Sequence, residues 1–146
     1  MIISSYMKNE HRECDTLFAA SEEAVAQGEW EVAGEKFLAF SNKTFTHFKK
    51  EEESLFPAFE AQTGMIEGPT QVMRYEHDQV RSLIGQMAEA LEQKDKDAYL
   101  SLAESMMILL QQHNMKEEQM LYAMCDRALP PELKESTLEA MKDMSL

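Results

Sequence analysis

Hydrophobic residues recur at steps of three and four along most of this chain. Between Tyr6 and Gln27 the apolar positions, separated by charged residues, are Met7, Cys14, Leu17, Phe18 and Val25. This spacing places apolar side chains on one face of an α-helix, whereas a half-buried strand alternates at every second residue. No alternating run persists for more than a few residues, so the pattern predicts an all-α protein.

Breaks in the pattern divide the chain into four long helices and a short one. The breaks fall at Gln27-Gly28-Glu29, in the Gly- and Pro-containing stretch 61–70, at Lys94-Asp95-Lys96 and at Pro130-Pro131. We therefore predict helices over about residues 5–27, 30–60, 71–93 and 97–127, and a tail helix over about 131–142. Because Pro57 cannot donate a hydrogen bond to the preceding turn, we expect it to kink or end its helix near Phe56.

The sequence contains an internal repeat. A shift of 66 positions places His11 on His77 and His47 on His113, and these are all four histidines of the chain. The same shift pairs Glu10 with Glu76, Glu51 with Glu117, Glu52 with Glu118 and Leu55 with Leu121. Two copies of a helical hairpin predict an up-down-up-down four-helix bundle, which we assign to a single domain over residues 1–146.

The four histidines are predicted to lie in one layer of this bundle. His11 lies 17 residues before Gly28 and His47 lies 17 residues after Trp30, so both stand about 25 Å from the first hairpin turn. The second hairpin repeats this spacing, and each histidine shares a helix face with apolar residues. A glutamate follows one turn after the second and the fourth histidine. The predicted buried layer comprises His11, His47, Glu51, His77, His113 and Glu117.

Such a layer points to metal. Burying imidazoles and carboxylates is costly unless every member has a partner, and two divalent cations would satisfy all of them together. A single histidine on an apolar face is more often a hydrogen-bonded core residue, but four that share a layer with two carboxylates favour a metal site. Imidazole with carboxylate suits Fe, Mn or Zn, whereas Ca and Mg prefer oxygen alone.

Composition narrows the function further. The chain has 146 residues, of which 44% are hydrophobic and 28% charged, and its formal net charge of −13 argues against binding to nucleic acid or a membrane surface. Two cysteines without CxxC spacing exclude a disulfide scaffold, and the start of the chain lacks a long apolar segment. We therefore expect a cytoplasmic protein. The oligomeric state stays open.

The motifs together resemble the hemerythrin-like, or HHE cation-binding, family. The resemblance covers about Tyr6 to Arg127 and rests on an ordered set of motifs, namely Glu10-His11, His47 to Glu51, Glu76-His77 and His113 to Glu117. It implies a carboxylate-bridged centre of two Fe ions, with the four histidines as terminal ligands and both motif glutamates, Glu51 and Glu117, as bridges. Zn or Mn stays open as the bound metal.

Residues beside the ligands differ from the oxygen-carrying members. Those proteins have a further histidine where this chain has Arg81, and they place the fourth-helix carboxylate at the position of Glu118. We hypothesise that Arg81 forms an ion pair with its repeat partner Asp15 beside the metals. Glu118 is a further candidate around the layer. Glu10 and Glu76 are candidates as acceptors from imidazole N–H groups, and Tyr122 either donates to a bridging carboxylate or packs in the core.

The function expected from these features is binding of oxygen or nitric oxide at a di-iron centre, for sensing, scavenging or protection. The sequence shows no recognisable pair of nucleophile and general base, which favours a binding or sensing protein over an enzyme. Two alternatives stay open. One is iron donation, repair of iron–sulfur clusters, or reduction of peroxide or nitric oxide at the same site. The other is a structural zinc-binding bundle.

Overall fold

The computed structural model describes residues 2–146, and within that range the chain forms helices and no strand. Met1, the first residue of the predicted domain, lies outside the described residues. The helices are α1 (Ile2–Ala26), α2 (Trp30–Lys50), α3 (Phe56–Thr63), α4 (Pro69–Glu92), α5 (Lys96–Lys116), α6 (Tyr122–Ala128) and α7 (Pro131–Lys142). The predicted all-α fold and C-terminal helix are confirmed. None of the helices described is long and apolar enough to cross a membrane.

Two single π-helical turns, Glu51–Leu55 and Glu117–Leu121, join α2 to α3 and α5 to α6. In each turn the next residue donates its backbone N–H five positions back, from Phe56 to Glu51 and from Tyr122 to Glu117. The two turns therefore occupy matching positions in the repeat, at the glutamates of the predicted layer. Isolated π-helical turns occur frequently at functional sites.

The sequence predicts a kink or an end of the helix near Phe56, and the structure has a π-helical turn up to Leu55 and no end at Pro57. The helical path continues through it to Thr63, because Pro57 lies in the first turn of α3, where the missing N–H costs no regular helix bond. The matching position in the second repeat is Ala123, and the same π-helical turn precedes it. The π-helical turn is thus a property of the repeat and not of the proline.

Packing places α1 against α2 and α5, and α4 against the same two helices. The helices α1 and α4 are therefore diagonal to each other in the bundle. The tail helix α7 packs on the first π-helical turn, where Met141 is fully buried. It covers the end of the bundle away from the two hairpin turns.

The hydrophobic core consists of two clusters on either side of the histidine layer. The cluster towards the hairpin turns contains Phe37, Phe40, Val80, Tyr99 and Met106 among others, and the cluster towards α7 contains Ile3, Met7, Leu55, Phe59 and Leu121 among others. Each large apolar side chain buried in this way contributes about 1.5–3 kcal/mol. The polar layer therefore lies between two apolar clusters, which exclude water from it.

Candidate metal centre

The structure brings the six predicted layer residues together in the middle of the bundle. His11, His47, His77 and His113 come from α1, α2, α4 and α5, and each is at most 4% exposed. Glu51 and Glu117, the first residues of the π-helical turns, are fully buried. Side chains of this kind are rarely buried to this extent without strong partners.

Within the layer the ligand atoms form two sets that could each hold a metal ion. The His77 set contains Glu51, His77, His113 and Glu117, and the His11 set contains His11, His47 and Glu117. In each set the ligand atoms lie within 4.8 Å of one another. Glu117 belongs to both sets, which is the arrangement that a bridging carboxylate requires.

Every histidine has a glutamate on its outer side. The Nδ1 atoms donate to carboxylate oxygens at 2.6–2.8 Å. The pairs are His11 with Glu118, His47 with Glu10, His77 with Glu52, and His113 with Glu76. An ionised carboxylate can only accept, so each Nδ1 carries the proton and each Nε2 presents its lone pair to the centre. Carboxylates in this position typically orient histidine ligands and raise their basicity.

Of these four glutamates, Glu52 was missed by the sequence reasoning. Its repeat partner Glu118 was among the candidates, so the shift of 66 positions contained the signal. Glu117 turns into the layer, whereas Glu118 reaches across to His11 on the neighbouring helix.

In the His77 set, acceptor atoms face one another without a donor. His77 Nε2 lies 3.1 Å from a Glu51 oxygen, and His113 Nε2 lies 3.2 Å from a Glu117 oxygen. Among the described residues, four buried atoms lack a hydrogen-bond partner: Glu51 Oε1, His77 Nε2, His113 Nε2 and Glu117 Oε2. Each such atom costs about 1–3 kcal/mol. A divalent cation would satisfy all four, so the residues of this set fit a metal ion.

Around the His11 set the Tyr122 hydroxyl takes a central position. It lies 2.8 Å from Glu51, 2.9 Å from Glu117, 3.1 Å from His11 Nε2 and 3.3 Å from His47 Nε2. The π-helical turn puts Tyr122 on the same face as Glu117, five residues earlier. The hydroxyl of Tyr122 lies within hydrogen-bond distance of both carboxylates, as one prediction has it, and its ring packs in the core, as the alternative has it.

The four histidines of the layer differ in their electrostatics. Burial lowers the pKa of His47 and His77, whereas at His11 and His113 burial is outweighed by the neighbouring glutamates, which raise the pKa. Burial lowers the pKa of His47 to about 4, which keeps it neutral at pH 7. Burial alone would raise the pKa of Glu10, but His47 and Lys50 outweigh it and lower the pKa to about 2. Burial and the facing charge of Glu117 raise the pKa of Glu51 well above its usual range. A cation between the two carboxylates would reverse that last effect.

A lysine supports the outer glutamate in each repeat. Lys50 donates to Glu10 and to the Tyr6 hydroxyl, and Lys116 donates to Glu76. Each repeat therefore has the same chain of contacts from lysine to glutamate to histidine. In the first repeat the lysine and the histidine lie on α2 and the glutamate on α1. In the second they lie on α5 and α4. This chain holds the imidazole ring in the orientation that metal binding needs.

The expected ion pair between Asp15 and Arg81 does not form. Arg81 pairs with Glu52 at 2.9 Å and with Asp78 at 2.9 Å, and among residues 2–146 Asp15 forms no ion pair. The reason is the packing, because α1 and α4 are diagonal in the bundle. Matching positions of a repeat need not be neighbours in space.

Asp15 instead lines a small cavity beside the His11 set. The cavity has a volume of about 10 Å³ and is bounded by His11, His47, Cys14 and Thr44 among other residues. That volume is close to the minimum that admits one water molecule. Its boundary residues Asp15 and Asn114 also line a larger groove on the surface between α1 and α5. The His11 set is thus separated from solvent by a short distance.

An aromatic ring covers the His77 set. The Phe48 ring stacks on His77, with ring centroids 3.8 Å apart and planes at 14°. The Arg81 guanidinium lies 5.3 Å from the centre of the Phe48 ring and pairs with Glu52. An aromatic ring and an ion pair therefore close this half of the layer.

The fold and the layer define a class, namely a helical bundle whose buried imidazoles and carboxylates are arranged to bind cations. The family model of the hemerythrin HHE cation binding domain matches residues 2–125, and the chain belongs to this family. The resemblance inferred from the motifs is therefore confirmed. Comparisons with curated proteins and with solved structures gave no match.

Proposed function

We propose that the chain holds two iron ions in the histidine layer and binds oxygen or nitric oxide there, for sensing, scavenging or protection. The observation that carries this proposal is the pair of ligand sets that share Glu117, with four buried acceptor atoms that lack a donor. Imidazole and carboxylate without thiolate suit iron. Membership in the hemerythrin family supports iron over Zn or Mn as the bound metal.

In this proposal the two ligand sets supply complementary parts of one centre. His11 and His47 would hold one ion, His77 and His113 the other, and Glu51 and Glu117 would bridge them. When bound, the iron pair supplies a redox-active centre that takes up diatomic gases. The protein's own contribution is to orient each Nε2 atom through the outer glutamates and to exclude water from the layer.

The size of the cavity supports a very small ligand. A space of about 10 Å³ beside His11 and His47 is close to the minimum that admits one water molecule. A larger organic substrate has no room there, which supports binding or sensing over turnover of such a substrate. The net charge of −13 supports a small neutral ligand over a polyanionic partner.

We place this activity in the cytoplasm. Cys14 and Cys125 are both unpaired and buried, and burial raises the pKa of each thiol to about 12. Thiols in this state are inert and persist in a reducing compartment. This supports a structural role for both cysteines and leaves the gas chemistry to the metal layer.

The experiment loads the chain with Fe(II) without oxygen, adds nitric oxide, and then removes the gas. We expect a visible absorption band that appears with nitric oxide and disappears on removal, with all iron retained by the protein. Transfer of the iron to a chelator during the cycle would instead support the iron-donation alternative. A zinc-loaded sample that is more stable than the iron form, in a chain that gives no gas adduct, would support the structural alternative.

A further inference from the structure

Tyr122 distinguishes the two ligand sets. Its hydroxyl lies within 3.3 Å of His11 Nε2, His47 Nε2, one Glu51 oxygen and one Glu117 oxygen. These four atoms converge on the point where an ion held by His11 and His47 would lie. The phenol is fully buried, and its ring packs in the cluster towards α7.

The matching residue in the first repeat is Phe56, which has no hydroxyl. Its ring stacks beside His77 at 5.8 Å, as the Tyr122 ring lies beside His11 at 5.7 Å. The two aromatic rings therefore occupy equivalent places under the two halves of the layer. Only the half that contains His11 receives an oxygen atom from the ring beneath it.

The unpartnered atoms follow the same division. All four belong to the His77 set, and none of them is a nitrogen of His11 or His47. The Tyr122 hydroxyl lies against both imidazole Nε2 atoms of the His11 set, whereas the Nε2 atoms of His77 and His113 have no hydrogen-bond partner. A cation therefore gains more by entering the His77 set, where no hydroxyl has to leave the imidazole nitrogens.

We infer that Tyr122 makes metal loading sequential, so that the His77 set fills first and the His11 set fills second and more weakly. An ion at the His11 set has to displace the Tyr122 hydroxyl from its contacts with the two carboxylates. This inference rests on the proposed function only in that both sets hold metal. It identifies the second ion as the exchangeable one, and this ion would lie beside the cavity that shares Asp15 and Asn114 with the surface groove.

Titration of the metal-free full-length chain with Co(II) tests this order, because the visible absorption of Co(II) reports its coordination without any gas. We expect two steps, the second about 10- to 100-fold weaker, which is the effect of a hydrogen bond to a charged group. His77→Ala should remove the tight step. His11→Ala should remove the weak step.

The decisive variant is Tyr122→Phe, which makes the second half resemble the first. We expect its weak step to tighten until the two steps converge. Phe56→Tyr is the matched control, because it adds a hydroxyl beneath the His77 set and should weaken the tight step. Far-UV circular dichroism and thermal unfolding of both variants show that the bundle is retained.

Two results would overturn the inference. If Tyr122→Phe leaves both steps unchanged, the hydroxyl does not control loading. If Tyr122→Phe weakens the second step, Tyr122 is a metal ligand and not a displaced group. Failure of the proposed function has a different signature, since Co(II) binding in two steps without any gas adduct of the iron form would remove the gas chemistry and leave the loading order intact.

Discussion

The two sides of the histidine layer contain equivalent ligands but have different surroundings. Beside His11 and His47 lie polar or small side chains, Tyr122, Thr44 and Asn114. At the matching positions the repeat has Phe56, Leu110 and Phe48, and the rings of Phe56 and Phe48 stack on His77. Phe48 and Leu110 also form the apolar wall of the cavity beside His11. The His11 side therefore has a hydroxyl and a cavity, and His77 is covered by two aromatic rings.

This difference shows where the two halves of a repeated scaffold become specialised. The ligands, the outer glutamates and the supporting lysines are the same in both repeats. The residues that differ do not belong to the ligand sets but pack above and below them. We infer that neighbouring residues determine which half meets a small molecule, while the ligands determine that metal binds at all.

The largest expected effect separates Glu117 from Glu51. Glu117 belongs to both ligand sets, so Glu117→Gln should weaken metal binding at both, by roughly 100- to 1,000-fold for loss of a buried charged partner. In the metal-free structure Glu51 belongs to the His77 set alone, so Glu51→Gln should weaken the His77 set more than the His11 set. Metal content after equilibrium dialysis measures the loss in each variant, and equal losses would show that the two glutamates are shared to the same extent.

The effect of Glu51→Gln on stability can also be measured in the metal-free chain. Burial and the charge of Glu117 both raise the pKa of Glu51 and so disfavour its charged form in the metal-free protein. Glu51→Gln, which removes that charge, should therefore leave the free energy of unfolding of the metal-free chain nearly unchanged. A large loss of stability in urea would show that the carboxylate charge contributes to the metal-free fold.

The outer glutamates should give the next largest effect. Glu118→Gln loosens His11, and Glu52→Gln loosens His77, and each should weaken its own set by about 10- to 100-fold. Two-step Co(II) titration distinguishes the sets. If both variants weaken the same step, the assignment of the glutamates to separate halves is wrong.

Asn114→Phe tests whether the cavity admits ligands to the His11 set. Asn114 is the repeat partner of Phe48, so the variant adds beside His11 a ring like the one that stacks on His77. Filling this space should slow azide or nitric oxide binding to the iron form while two metals remain bound. Overpacking should also lower the free energy of unfolding by about 1–3 kcal/mol. Stopped-flow absorption measures the rate, and an unchanged rate would mean that ligands arrive by another route.

The smallest expected effect concerns the hairpin turns. Gly28 and its repeat partner Lys94 both have positive φ, 73° and 53°, and both close the same backbone hydrogen-bond pattern at the end of a helix. Lys94→Gly should therefore raise the free energy of unfolding by about 0.5–1 kcal/mol. Gly28→Lys is the reverse control and should lower the free energy of unfolding. Urea unfolding measures both variants, and a change in the same direction in both would contradict this explanation.

Much of the fold and of the layer could be predicted because both depend on periodicity. The spacing of apolar residues predicts the helices, and equal distances from Gly28 and Trp30 place His11 and His47 at one height. Membership in the hemerythrin family confirms that interpretation of the motifs. The assignment of the six residues as ligands stays a prediction, which the geometry of the two sets supports.

The parts that sequence reasoning missed depend on three-dimensional arrangement. An internal repeat does not show which helices are neighbours. The proposed ion pair of Asp15 with Arg81 does not form because the two residues lie on helices that are diagonal in the bundle. The π-helical turns could not be predicted, since the residues that EEESL and EEQML share, two glutamates and a leucine, are common in ordinary α-helices. Without those turns the contacts of the Tyr122 hydroxyl with His11 and His47 could not be foreseen.

The most direct test of the central claim is an anaerobic Fe(II) titration of the metal-free chain, with bound iron measured per chain. Two irons per chain, reduced to about one when His11 or His77 is replaced by alanine, is the result that two ligand sets sharing Glu117 predict. One iron or none in the parent chain, with tight binding of a single Zn ion instead, would contradict the di-iron centre.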